Sequence, residues 1–150
     1  MTEVLPGLQL PAMTLMGNLQ LSILLLKVAT LVQHYGEKQG DLQLFPRRQN
    51  LLNSELSELK MPSERRATLL TFAAFMVDNP QAPPDEWLQL KGIGPWTVDY
   101  AKIRGLSDPN IWLGGDLGVK KSLKHQGMEI TPKDAFPWQS YLTLQVWNLL

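Results

Sequence analysis

Nowhere does this chain sustain the alternation of apolar and polar residues that a half-buried strand needs. Its apolar residues recur at spacings of three and four, in blocks bounded by proline and glycine. Leu21, Leu24, Leu25, Val28, Leu31 and Val32 draw one stripe along a helix that ends near Tyr35-Gly36. Leu51, Leu52, Leu56 and Leu59 suggest one or two short helices, stopped before Pro62. Ser63 is placed to cap a helix running through Leu69, Leu70, Phe72, Ala73 and Met76 to about Asn79. After the loop Pro80 to Pro84, Asp85 and Glu86 open a short helix with Trp87 and Leu90. Trp96 to Gly105 and Asp116 to about His125 read as helices on either side of a breaker-rich loop, Ser107 to Gly115. Thr131 and Pro132 begin another, Pro137 interrupts it, and a last helix carries Tyr141, Leu142, Val146 and Trp147. Gly36 to Arg47 reads as a polar turn region, and residues 1–16, punctuated by Pro6, Gly7 and Pro11, as irregular. The expectation is an all-α domain over residues 17–150, of six to eight helices packed pairwise at varied angles.

A chain of 150 residues suits one domain. It has no cysteine, which removes disulfides, thiolate metal sites and iron–sulfur clusters, while His34 and His125 lack metal-ligand spacing. The longest apolar run, Leu21 to Val32, is interrupted by Ser22 and Lys27 and is too short to span a bilayer. Nor does the N-terminus show the basic-then-apolar order of a signal peptide. Net charge is zero, but from Lys91 onward seven basic residues face five acidic ones. That modest surplus is what contact with phosphate requires.

The most informative stretch is Leu90 to Leu123. It opens with Gly92-Ile93-Gly94, a turn in which glycines can adopt backbone angles closed to other residues. Pro95 stands at the first position of the helix that follows. Outward-pointing amides at such a turn, together with the helix dipole, favour a phosphate and read no base sequence. An ordinary tight helical hairpin would use the same glycines. Twenty-two residues beyond Gly94 comes Asp116, which can serve as a reacting carboxylate or simply as a helix cap. Trp96 and Tyr100, at i and i+4, share a helix face and can line a pocket or fill a core. Trp112 and Trp138 are assigned to the core.

Leu90-Lys91-Gly92-Ile93-Gly94-Pro95-Trp96-Thr97, followed by Gly115-Asp116-Leu117-Gly118-Val119-Lys120, resembles the helix–hairpin–helix DNA glycosylases. Within them the chain looks most like the AlkA-type 3-methyladenine DNA glycosylases. The segments Pro137-Trp138-Gln139-Ser140-Tyr141 through Trp147, Lys60-Met61-Pro62 to Leu70, and Gly17-Asn18-Leu19 are similar to further family motifs. The resemblance thus covers most of residues 17–150. It implies the glycosylase core without the N-terminal sheet domain of AlkA itself. It also implies base excision from alkylated double-stranded DNA, acting as a monomer in the cytoplasm or nucleus without membrane attachment.

Residue by residue, the resemblance implies that Gly92, Ile93 and Gly94 bind a DNA phosphate, with a monovalent Na+ or K+ at the backbone of Gly92 and Gly94. No other cofactor is expected. Asp116 would be the catalytic aspartate, Trp96, Tyr100 and Trp147 the base pocket, and Leu19 the side chain wedged into the gap left in the duplex. Thr97, Lys120 and Lys121 would add contacts to the DNA, although the lysines could equally be a solvated face. Where strand-cleaving relatives carry a lysine, two residues past the second hairpin glycine, this chain has Trp96, so no Schiff base is expected. The missing cysteines exclude the iron–sulfur subgroup. The chain departs from the family in Asn18-Leu19-Gln20-Leu21-Ser22 and in the loop Trp112-Leu113-Gly114-Gly115 before Asp116. A competing expectation is a helix–hairpin–helix module that binds DNA without catalysis.

Overall fold

In the computed structural model, residues 26–149 are described, and they are mostly helical. The first helix, α1, occupies 26–35. An antiparallel hairpin follows, β1 (Lys38–Gln39) paired with β2 (Leu42–Gln43). Then come α2 (Arg48–Leu52), a 3-10 turn at Ser57–Leu59, and the long α3 (Ser63–Asp78). A second 3-10 segment, Pro84–Gln89, leads through the glycine turn into α4 (Pro95–Gly105). The loop beyond it delivers α5 (Leu117–Gln126), and a 3-10 turn at Pro132–Ala135 precedes α6 (Gln139–Trp147). The all-α expectation holds, with two-residue strands as its one addition among the described residues.

That hairpin corrects the reading of Gly36 to Arg47 as turn alone. Gln43 explains its place, because its side-chain amide donates to the carbonyls of Val32 and Gly36 at the end of α1. Short polar strands of this kind carry too little periodicity to be legible beforehand. Other local expectations also shift. Ser63 is the first residue of α3 rather than its cap, since Pro62 holds the cap position and no side chain bonds there. Thr131 likewise precedes its turn without a side-chain cap bond. On the expected stripe of α1, Val28 is exposed and Leu31 and Val32 are half-buried, while Leu21, Leu24 and Leu25 lie outside the described residues. Leu19 and residues 1–16 lie outside the described residues.

Leu56, Leu59, Ala73, Met76, Val98, Ile103, Leu113, Val119 and Val146 are buried. They come from the 3-10 turn at Ser57–Leu59, from α3 to α6 and from the loops at Leu56 and Leu113, so helices that could not bury an apolar face alone do so together. Helix α2 packs on α3, α5 on α6, and α4 on the 3-10 segment before it. Phe72 of α3 meets Trp87 edge to face at 4.9 Å, which ties that segment to the long helix. Trp138, assigned to the core from sequence, is 57% exposed and pairs edge to face with Tyr141, itself exposed. As the residue before α6 it is carried on the outer side of the chain's entry, and Trp112 is only half-buried.

Candidate active site

The hairpin turn is seated on α3. Thr68 donates its hydroxyl to the carbonyls of Glu64 and Lys91, fixing the turn against the helix. Gly92 has φ of +92°, and a Cβ there would fall 2.2 Å from the Thr68 hydroxyl, so both backbone and space demand glycine. Gly94 differs from expectation. Its φ of −112° and ψ of 174° are extended and open to any residue, and a Cβ would meet nothing within 4 Å. What glycine leaves at position 94 is an uncovered backbone rather than a special angle.

The amide of Ile93 donates to Leu90 and is spent on the turn, while those of Thr97 and Val98 donate to the carbonyl of Gly94. Among the described residues the amides of Gly92, Gly94 and Trp96 have no acceptor, and they stand at the positive end of α4. An anion there would meet donors already in place. The same arrangement bears on a monovalent cation, which needs oxygens. The carbonyls of Gly92 and Ile93 accept no hydrogen bond among the described residues, whereas Gly94 already accepts two. On this turn the carbonyls of Gly92 and Ile93 are thus the ones left open. Thr97 is exposed on the first turn of α4.

Asp116 is the N-cap of α5 and more. Its Oδ1 accepts from the Val119 amide at 3.0 Å and from Trp147 Nε1 at 2.9 Å. Its Oδ2 accepts from Trp96 Nε1 at 2.8 Å. The cap and the reacting carboxylate are thus compatible readings of one residue, because capping takes one lone pair of about four. Partial burial pushes the carboxyl's pKa up, but donors from Trp147, Val119, Trp96 and Gly118 outweigh that and hold it below the ordinary carboxylate range. The group is ionised at neutral pH, and Oδ2, with one donor, is its less occupied oxygen.

The three aromatic residues singled out in the sequence meet here. Trp96 and Tyr100 stack at 5.0 Å with their planes 19° apart, and Tyr100 lies 6.1 Å from Trp147. Trp96 is 46% exposed, whereas Tyr100 and Trp147 are half-buried. Lys120 and Lys121 are exposed on the first turns of α5. Leu19 cannot be placed, since it lies outside the described residues.

What the sequence did not reveal is the scaffold that presents Asp116. Ser140 and Thr143 of α6 are buried, and their hydroxyls stitch the preceding loop to the helix. Ser140 donates to Asp108 and accepts from the Ile111 amide, while Thr143 donates to Ile111 and accepts from the Leu113 amide. Ser122 of α5 donates to the carbonyl of Val146 at 2.6 Å. Small hydroxyl residues at i and i+3 on an otherwise apolar helix were the available signal. Arg104, another residue not singled out, places its guanidinium 6.0 Å from the Tyr100 ring and 5.8 Å from that of Trp147. Its i+4 spacing from Tyr100 was the sign.

No protein-family model matches the chain. Over 141 aligned positions, covering 80% of this chain and 28% of that protein, it is 30% identical to a probable bifunctional transcriptional activator/DNA repair enzyme AlkA of Mycobacterium tuberculosis. It is 27% identical over 172 aligned positions to DNA-3-methyladenine glycosylase 2 of Escherichia coli, covering 95% of this chain and 60% of that one. A DNA-3-methyladenine glycosylase of Bacillus subtilis is 25% identical over 140 aligned positions, covering 79% of this chain and 46% of that one. The chain therefore spans less than two-thirds of each of these relatives.

Proposed function

We propose, on the premise that the chain belongs to the AlkA-type family of helix–hairpin–helix DNA glycosylases, that it hydrolyses the N-glycosidic bond of alkylated purines in duplex DNA without cutting the strand. The observation that carries this reading is Asp116 clamped between two indole N–H groups beside the stacked rings of Trp96 and Tyr100. An alkylated purine is cationic and departs readily, leaving an oxocarbenium-like sugar. A fixed carboxylate next to that sugar stabilises the developing charge while water attacks. A carboxyl held at low pKa is a poor proton acceptor and a dependable anion, so Asp116 acts here mainly through its charge.

The base reaches this group only by leaving the stack, and an electron-poor ring then suits the aromatic faces of Trp96, Tyr100 and Trp147. The amides of Gly92, Gly94 and Trp96 grip a backbone phosphate, and Lys120 and Lys121 add charge along the duplex. A monovalent cation, when bound by the carbonyls of Gly92 and Ile93, would offset the phosphate's charge. Strand cleavage is not expected, because Trp96 stands where strand-cleaving relatives carry the amine, and its N–H is committed to Asp116.

The test is incubation with alkylated duplex DNA, assayed for free 3-methyladenine and for alkali-labile abasic sites. Wild type releases the base and leaves the strand intact until alkali is added. Asp116→Asn lowers release by at least about a hundredfold with DNA affinity kept, the scale seen when preorganised electrostatic groups are removed. Binding by wild type with no release would reduce the chain to a DNA-binding module.

A further inference from the structure

Helix α4 carries Trp96, Tyr100 and Arg104 at i, i+4 and i+8, so the aromatic pair continues into a cation. The Arg104 guanidinium lies 5.8 Å from the ring of Trp147, whose Nε1–H donates to Asp116. Among the described residues the ion pairs are Arg47–Glu37 and Lys102–Asp85, so none of their carboxylates neutralises Arg104. The aromatic cluster thus carries a cation over the rings of Tyr100 and Trp147 and a carboxylate on the indole N–H groups of Trp96 and Trp147.

We infer that Arg104 is the positive pole of an oriented field across the base site, opposing Asp116, and that this field speeds departure of alkylated purines. The inference rests on the proposed function. In the step concerned, the C1′–N bond breaks and both its electrons go to the base nitrogen. The base changes from cation to neutral molecule, and the sugar carbon becomes cationic. The oxygen of a water molecule bonds to that carbon, and its proton passes to solvent. Positive charge thus moves from the base toward the sugar, away from Arg104 and toward Asp116. A cation at the first end raises the ground state and an anion at the second lowers the transition state, so both reduce the barrier. The aromatic faces offset the cost that Arg104 imposes on holding a cationic base.

The experiment measures release of 7-methylguanine from duplex DNA in single turnover, with enzyme in excess, for wild type, Arg104→Gln and Arg104→Lys. Arg104→Gln slows release about tenfold, the effect of one partly screened charge at this range. Its Kd for DNA changes less than about twofold, and Arg104→Lys keeps most of the rate. A packing role predicts instead that both variants disturb the tryptophan emission and fall together. Arg104→Gln within about twofold of wild type, or Arg104→Lys equally slow, overturns the inference while leaving the glycosylase reading intact. Wild type releasing no base overturns both.

Discussion

The carboxyl of Asp116 is held low by donors that cannot be replaced by water without loss, and this gives the residue a stability signature as well as a chemical one. Because its folded pKa is depressed, the stability it contributes is fully present above the unfolded carboxylate's range, about pH 4. It is lost as pH falls through the lower folded value. Trp147→Phe removes one donor and moves that folded value back up. The variant is expected to lose about 2 kcal/mol at neutral pH, the scale of a hydrogen bond to a charged group. The difference from wild type should shrink at acid pH, once the solution is below the folded value of each and the carboxyl is protonated in both. Chemical denaturation at the two pH values checks this, and an equal difference at both would assign the loss to packing alone.

At the scale of elements, the loop between α4 and α5 is held from outside itself. Gly114 is required because a Cβ there would lie 2.4 Å from Trp112 Nε1, whereas a Cβ on Gly115 meets nothing within 4 Å. Gly114→Ala should therefore cost about 1–3 kcal/mol by displacing the indole, and Gly115→Ala less than about 0.5 kcal/mol. Thermal unfolding of the pair decides it, and equal melting temperatures would mean that Trp112 yields freely. Thr143 serves the same loop from α6, with its hydroxyl bonded to both Ile111 and Leu113. Thr143→Val keeps the shape but leaves a buried amide and a carbonyl unpaired, which should cost about 1–3 kcal/mol. Base release should fall further than the unfolded fraction accounts for, since Asp116 hangs from this loop. A variant with full stability would show the hydroxyl to be replaceable.

For the whole molecule, zero net charge does not prevent association with a polyanion if the charges are sorted by face. Lys120 and Lys121 are exposed on the helix that Asp116 caps, and Asp116 itself accepts from Trp96 on the first turn of α4. Replacing both with glutamine should reduce the salt dependence of DNA binding by about 2 in the slope of log K against log salt, near 0.9 for each phosphate no longer neutralised. An unchanged slope would return the two lysines to the solvated face they resemble in sequence.

Much of this is legible in the sequence. Apolar spacing and proline punctuation determined that the chain is helical and roughly where each helix lies, because those signals act within a few residues. The glycine turn, Asp116 and the aromatic pair were visible as residue types at telling intervals. Long-range partnership was not. That Asp116 caps a helix and is also clamped by indoles from α4 and α6 depends on three elements meeting, and no spacing along the chain encodes that meeting. The exposure of Trp138, the short hairpin held by Gln43, and the hydroxyl stitching of Ser140 and Thr143 belong to the same class. Each turns on which side chain reaches across to which backbone, a choice that packing makes after the helices have formed. Sequence alone showed a glycine turn followed, 22 residues on, by an aspartate at the start of a helix. Only the tertiary structure decided that Trp96, just inside that turn, donates its N–H to that aspartate.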